Sequence, residues 1–393
     1  MRNVLMTATV PSMIGQFNLN NIYLLQDMGY QVDVAADFYD TSVWDRQGVK
    51  KFCGDMEKIG VRCFQIGFSR NVWNIRGHLD AYKQYRRLLK KIKPEFIHTH
   101  TPVASAIVRV AAHQENIRVI YTAHGFHFYK GGAFRNWLIY YPVEWLLSYW
   151  TDVLVTINKE DYMRAKKRLH AKRTEYVHGV GIDVSKFRNE QIDIEEKRRS
   201  LNLQKDDIML LSVGELSKRK NHEVVIRTIA RLQIPQLKYF ICGTGGLKEY
   251  LISLIAKLEL QEKVFLLGYR NDISELCQAA DLYIFPSRQE GLPVALMEAI
   301  ACKTPVICSD IRGNNDLIQN VDCMFDANSI KAVSECIINK LRKSNDLLLD
   351  SKLRFLISEN MGYVVKQNYK NLKKYKLQIV SKEMAKIYGS VCK

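Results

Sequence analysis

Leu282-Tyr-Ile-Phe-Pro-Ser-Arg-Gln-Glu290-Gly-Leu-Pro-Val-Ala-Leu-Met-Glu298-Ala299 is the most informative stretch of the chain. Leu282 to Phe285 is an apolar run of strand length, and Pro286-Ser287 stops it. Gly291 permits a tight turn, and Pro293 suits the first turn of a helix that carries Glu298. The pattern is therefore strand, loop, helix, with Glu290 in the loop and Glu298 early on the helix. In an open parallel sheet, ligands bind outside the carboxyl ends of the strands. A helix start there offers free N–H groups and a partial positive charge to an anion. Two carboxylates beside such a site suit the hydroxyls of a sugar or a ribose, because an ionised carboxylate only accepts hydrogen bonds. The alternative is a pair of solvated glutamates, the usual fate of charged side chains.

The same alternation extends on both sides of this stretch. Val4 to Thr9, Val32 to Ala36, Val61 to Ile66, Glu95 to His98, Arg118 to Thr122 and Val153 to Ile157 read as strands of the first half. Ile208 to Val213, Lys238 to Cys242, Val264 to Leu267 and the run after Thr304 repeat the pattern, and the chain is helical from Ser329 on. Strands alternating with helices predict an α/β protein with doubly wound, parallel, Rossmann-like sheets. A chain of 393 residues is long for one core and suits two domains. The polar stretch Val184–Asp193 marks the boundary, giving domains 1–188 and 189–375 and a last helix, 376–393.

A net charge of +17 predicts an anionic partner: a nucleotide, a nucleic acid or an anionic lipid surface. No nucleic-acid motif accompanies the charge. The nine cysteines are scattered, with no Cys-x-x-Cys pair and no histidines at zinc spacing. That favours a reducing cytoplasm and argues against a structural metal. The N-terminus lacks the apolar core of a signal peptide, and no apolar run reaches the roughly 18 residues of a membrane span.

Further candidates lie at the ends of the expected strands. Gly214 followed by Lys218-Arg219-Lys220 can hold a diphosphate, the glycine admitting the backbone and the cations neutralising charge; otherwise it is a solvated basic turn. Gly15 stands in the expected turn after the first strand, as a turn glycine or a ligand contact. His124 precedes Gly125 at another strand end, as a structural or a ligand-facing histidine, while His98 and His100 are weaker and read as packing or hydrogen-bonding at a strand end. Gly243-Thr-Gly245 and Gly268-Tyr269-Arg270 end two more strands. Two basic segments, Tyr82–Lys93 and Tyr162–Arg173, read as amphipathic helices that are either solvated or docked on an anionic bilayer. The aromatic segment Trp137–Trp150 is either buried or interfacial.

Pro286-Ser-Arg-Gln-Glu-Gly-Leu-Pro293 with a second glutamate in the next helix resembles the donor motif of retaining glycosyltransferases of the GT-B fold, family four, the group 1 enzymes of bacterial surface polysaccharides. The resemblance implies two Rossmann-like domains facing across a cleft, with the last helix returning to the first domain. It implies that Glu290 contacts the donor sugar and Glu298 the ribose. The loop at Gly15 would face the diphosphate and acceptor, and His124 would reach the donor sugar. Lys220 falls on the lysine of the family's phosphate loop, while Glu215 stands where many members have arginine, so Arg219 or Lys218 would replace that cation. Tyr269 and Arg270 become base-site candidates. Gly291, Leu292 and the helix start there would, with Lys220, stabilise the leaving diphosphate. Lys220, His124 and Glu290 would thus act at the reacting centre, with no cofactor and no metal. His124-Gly-Phe-His-Phe128 and the aromatic segment after it resemble enzymes that build on lipid carriers. The expected activity is transfer of a sugar from a nucleotide sugar, UDP-linked, to a lipid-linked saccharide acceptor, by a cytoplasmic protein peripheral on the inner face of the plasma membrane. The rivals are a GT-B sugar-nucleotide 2-epimerase and a basic nucleic-acid-binding protein.

Overall fold

Val4, Leu5 and Met6 are consecutive and all fully buried. A strand covered on both faces is what a parallel sheet between two helix layers requires. A computed structural model describes residues 2–187, 192–342 and 353–391. The chain forms two compact units, Met1–Gly181 with Leu377–Lys393, and Ile182–Lys376. The division after Gly181 precedes the expected boundary at 188, and residues 188–191 lie outside the described ones.

The first unit holds seven parallel strands: β1 (Arg2–Thr7), β2 (Tyr30–Ala36), β3 (Arg62–Gln65), β4 (Phe96–His100), β5 (Arg118–Ala123), β6 (Val153–Thr156) and β7 (Arg173–Tyr176). Their order is β3-β2-β1-β4-β5-β6-β7, so the winding reverses between β1 and β4. One face is covered by Ile14, Ile22 and Leu25 and by Val380, Met384 and Ile387 of the last helix, Leu377–Val391. The other is covered by Ala81, Tyr85 and Leu88 of helix Ile75–Ile92 and by Ala104, Val108 and Ala111 of helix Pro102–Gln114. Polar bonds fix the last helix: Tyr388 OH lies 2.8 Å from His98 Nδ1, and Glu383 accepts from the His178 backbone N–H at 3.0 Å and meets its Nδ1 at 2.7 Å.

The second unit holds β8 (Ile208–Val213), β9 (Leu237–Cys242), β10 (Val264–Gly268), β11 (Leu282–Phe285), β12 (Val306–Ser309) and β13 (Met324–Phe325), all parallel. The order is β10-β9-β8-β11-β12-β13, with the reversal between β8 and β11.

Several expectations change. Gly15 is not in a turn. It lies inside helix Pro11–Phe17, because Pro11 occupies a first-turn position where its missing N–H costs nothing. A Cβ on Gly15 would stand 2.3 Å from Trp44 Cη2, so packing against that ring accounts for the glycine. The second basic helix is Lys159–Arg168, and Arg173 opens β7 instead of continuing it. In the first basic segment, Arg86 is held by Glu115 at 2.6 Å. The aromatic segment is helix Phe134–Ser148, packed on one face and exposed on the other. Trp137 packs inward on Phe128 and Tyr141, with Arg164 above its ring. Buried Glu144 pairs with buried Arg109 at 2.9 Å. The outer face exposes Phe134, Leu138, Trp145, Leu146 and Tyr149. Among the described residues no helix is long and apolar enough to cross a membrane.

Candidate active site

The reversal between β8 and β11 separates the loops that leave those two strands, the usual place for a ligand in such a sheet. One of these loops is Gly214–Asn221; the other is Pro286–Pro293. One backbone bond and one side-chain bond fasten them: the Arg288 N–H donates to Arg219 O at 2.8 Å, and Asn221 Nδ2 donates to Pro286 O at 3.2 Å. Asn221 has a left-handed φ of 57°, which turns the chain into helix His222–Leu232.

Two cations converge on one carboxylate here. Lys220 Nζ donates to Glu290 Oε1 at 2.8 Å, and Arg219 Nη1 donates to the same oxygen at 3.0 Å. Lys220 Nζ also lies 4.7 Å from the centroid of the Phe285 ring. Its methylene stem passes 3.2–3.3 Å from where a Gly214 Cβ would be, so the bare glycine makes room for it. Burial pushes the Lys220 ammonium below its ordinary pKa, and the Glu290 charge opposes that shift. Glu215 Oε2 is 3.9 Å from Arg219 Nη2. Of the two replacements considered for the missing family arginine, Arg219 thus reaches the cluster, while Lys218 is exposed and makes no ion pair among the described residues.

The neighbouring strand ends are locked to this loop. Leu216 N–H donates to Thr244 O at 2.9 Å, and Gly243 N–H donates to Gly268 O at 2.7 Å. Gly243, at φ +148°, comes so close that a Cβ would stand 2.0 Å from Gly214 O. Gly291 is met in the same way by Gly313, at φ +80°, whose Cβ would stand 2.4 Å from Gly291 O. Arg312, which sequence reasoning passed over, donates from Nε to Glu290 O at 3.0 Å and fixes that backbone. Its only sequence signal was its place in the Asp310-Ile-Arg-Gly313 loop after a strand.

Helix Val294–Ala301 begins two residues after Leu292, which is buried, so the expected helix start moves to Val294. Glu298 sits in its second turn, partly covered, and its carboxylate makes no hydrogen bond or ion pair among the described residues. Burial alone pushes its carboxyl up to about 7. Such a group awaits a donor. The base-site candidates separate: Tyr269 is 77% exposed, whereas Arg270 is not free. It grips Asp272 through Nε and Nη2, and Lys197 completes the cluster 2.6 Å from Asp272. A neighbouring carboxylate thus fills the Arg270 guanidinium fork in the empty protein.

In the first unit, His124 follows β5, and its Nε2 lies 3.1 Å from His100 Nδ1. His98 and His100 are buried in β4, of which His100 is the last residue, as a packing or hydrogen-bonding role at a strand end requires. Burial lowers the His124 pKa to about 4 and the His98 pKa to about 3, and pushes His100 well down, so all three are neutral at pH 7. A small cavity is lined by His100, His124, Thr122, Asn18 and Asn21 on its polar side.

Residues 193–376 match the family model of glycosyl transferases group 1, and residues 19–186 match that of glycosyltransferase family 4. EpsD of Bacillus subtilis, named as a glycosyltransferase, is 34% identical over 326 residues, 81% of each chain. The UDP-Gal:alpha-D-GlcNAc-diphosphoundecaprenol alpha-1,3-galactosyltransferase of Escherichia coli is 31% identical over 268 residues, covering 66% of this chain and 69% of that one. HepE of Anabaena, solved with UDP and glucose, superposes with a TM-score of 0.74 at 18% identity, covering 99% of this chain and all of that one. That likeness carries the fold, and the sequence relatives carry the family: the chain has the GT-B fold and belongs to the group 1, family 4 glycosyltransferases.

Proposed function

We propose that this glycosyltransferase takes a hexosyl or N-acetylhexosaminyl group from a UDP-linked donor and transfers it, with retention, to a lipid-linked saccharide. The observation that carries the donor half is one carboxylate, Glu290, held by two cations in the loop before the helix on which the unpartnered carboxylate of Glu298 lies. Glu298 has no partner among the described residues and suits ribose hydroxyls. Glu290 lies with Lys220 and Arg219 where a diphosphate and its sugar would meet them. In this reading Lys220 and Arg219 hold the phosphates. The free N–H groups at the start of helix Val294–Ala301 add to them. Negative charge grows on the leaving diphosphate, so these groups do more in the transition state than in the ground state. In this reading Glu290 positions the sugar. The reading asks for no metal and no cofactor. A lipid-linked acceptor is supported by the Escherichia coli relative, a galactosyltransferase named for its diphosphoundecaprenol-linked acceptor.

The partner for the first unit in this reading is an anionic membrane surface, on the cytoplasmic side. The outer face of helix Phe134–Ser148 supports it more than the helix near Arg86 does. Phe134 and Leu138 are 79% and 66% exposed, and exposed Lys130 and Arg135 lie just before and on that helix, with Arg168 of the next helix over Trp137. Apolar insertion plus about 1 kcal/mol for each nearby cation suffices for reversible docking. Co-sedimentation with neutral and anionic vesicles tests it: loss of binding in Leu138→Gln/Trp145→Gln supports the face, and unchanged pelleting removes it.

The test of the reaction is a calorimetric screen of UDP- and GDP-sugars, followed by transfer to a polyprenyl-diphosphate-linked saccharide. The anomeric configuration of the product is read by NMR. Inversion refutes retention. Change of the donor sugar with no acceptor present would favour the 2-epimerase.

A further inference from the structure

We infer that Glu290 also acts as a competing anion: in the empty site it occupies the two cations that a diphosphate needs, and so weakens the hold on the free nucleotide product. This rests on the reading that the Gly214–Lys220 loop takes a diphosphate.

Three features of the cluster support it. First, a single oxygen, Glu290 Oε1, receives both Lys220 Nζ at 2.8 Å and Arg219 Nη1 at 3.0 Å. The carboxylate thus lies between the charges that a phosphate would seek. Second, Lys220 and Glu290 are mostly covered, with side chains 13% and 8% exposed. A covered ammonium needs a counter-charge, and Glu290 is the sole carboxylate paired with Lys220 among the described residues. Third, the Glu290 backbone is fixed, since Arg312 Nε holds its carbonyl at 3.0 Å and the next residue packs against Gly313. Only the side chain has to move.

Exchange of partners follows from these constraints. An arriving diphosphate takes over Lys220 and Arg219, and the released carboxylate accepts hydroxyls of the donor sugar. Once the sugar has left, Glu290 has no hydroxyl to accept. It returns to the cations and competes with the phosphates that remain. The same residue thereby favours the intact donor over the nucleoside diphosphate and assists product departure.

The test is the affinity of the full chain for UDP, measured by calorimetry at pH 7 in wild type, Glu290→Gln and Glu290→Asp. Removing one negative charge a few ångströms from the phosphates should tighten UDP roughly 3- to 30-fold at the effective dielectric of a partly covered site. Uridine, which has no phosphate, should bind the wild type and Glu290→Gln equally. UDP should become a stronger product inhibitor of Glu290→Gln. Glu290→Asp keeps the charge but withdraws it by one methylene, and should fall between the two; it is the reporter if Glu290→Gln does not fold. Equal or weaker UDP binding in the variants, with wild type binding UDP, overturns the competition and leaves the diphosphate reading standing. If Lys220→Ala binds UDP as well as wild type does, the diphosphate reading itself fails, and the competition with it.

Discussion

Substituting Glu298 by Gln should remove a pH dependence from nucleoside binding. In the empty protein burial pushes the Glu298 carboxyl up to about 7, and no partner among the described residues offsets it. Ribose hydroxyls donate to the ionised form. At pH 8 about nine sites in ten are ionised and at pH 6 about one in ten, so the apparent Kd for uridine should rise about tenfold across that interval. Uridine is the right probe, because a phosphate's own second ionisation falls near pH 6. At pH 8 the Gln variant should bind roughly tenfold or more weakly, the loss of a charged hydrogen bond, and its affinity should not change down to pH 6. The sign for stability is opposite. A carboxyl raised above its unfolded value of 4.5 contributes stability that is fully present below that value and is lost as pH rises through about 7. The Gln variant should therefore exceed wild type at pH 8 by up to about 3 kcal/mol and converge with it near pH 5. Calorimetry and denaturant titration at pH 5, 6, 7 and 8 check both halves. A flat wild-type uridine affinity from pH 6 to 8, or a Gln variant that keeps the slope, refutes the assignment of Glu298 to the ribose.

Lys220→Ala should lower kcat more than it raises KM, since its charge matters most as the diphosphate leaves; steady-state kinetics in which only KM moves would make it a binding residue alone. Gly243→Ala should destabilise the second unit by about 1–3 kcal/mol or more and weaken UDP binding together, because the new Cβ would meet Gly214 O at 2.0 Å; an unchanged urea midpoint would contradict the close packing of those loops. Glu144→Ala should cost about 3–5 kcal/mol by stranding buried Arg109, and the double variant Glu144→Leu/Arg109→Met should recover most of it; a loss under about 1 kcal/mol in the single variant would mean the pair is solvated.

The strand at Leu282–Phe285 was legible residue for residue, because a fully buried β11 must be apolar throughout and Pro286 ends it. Glu290 and Glu298 were legible as a pair for the same reason: turn chemistry fixed the loop between a strand and a helix. What was hidden is what one stretch cannot show of another. Nothing near Gly15 announces Trp44, and nothing near Arg270 names Lys197 as a partner of the same Asp272. β7, Arg173-Thr-Glu-Tyr176, lies at the sheet edge with every residue half-buried, so it lacks both the apolar run and the clean alternation by which strands are recognised. His98 and His100, expected to pack or hydrogen-bond at a strand end, do so. They are polar residues in a fully buried strand, and His98 is held there by Thr122 and by Tyr388, 290 positions along the chain.

That last bond has a bearing on how the molecule is made. The first unit takes its closing helix, Leu377–Val391, from beyond the whole of the second. On a ribosome adding about 5–20 residues per second, synthesis of the intervening 182–376 occupies roughly 10–40 s. Throughout that interval the seven-stranded sheet lacks Val380, Met384, Ile387 and Tyr388 from its core. The second unit, contiguous in sequence, can fold to completion first. The nascent chain therefore carries an apolar face open to chaperones or to other chains until its final turn of helix emerges. A stop codon shortly before Leu377 would damage the first unit, which is synthesised earliest, and leave the second intact.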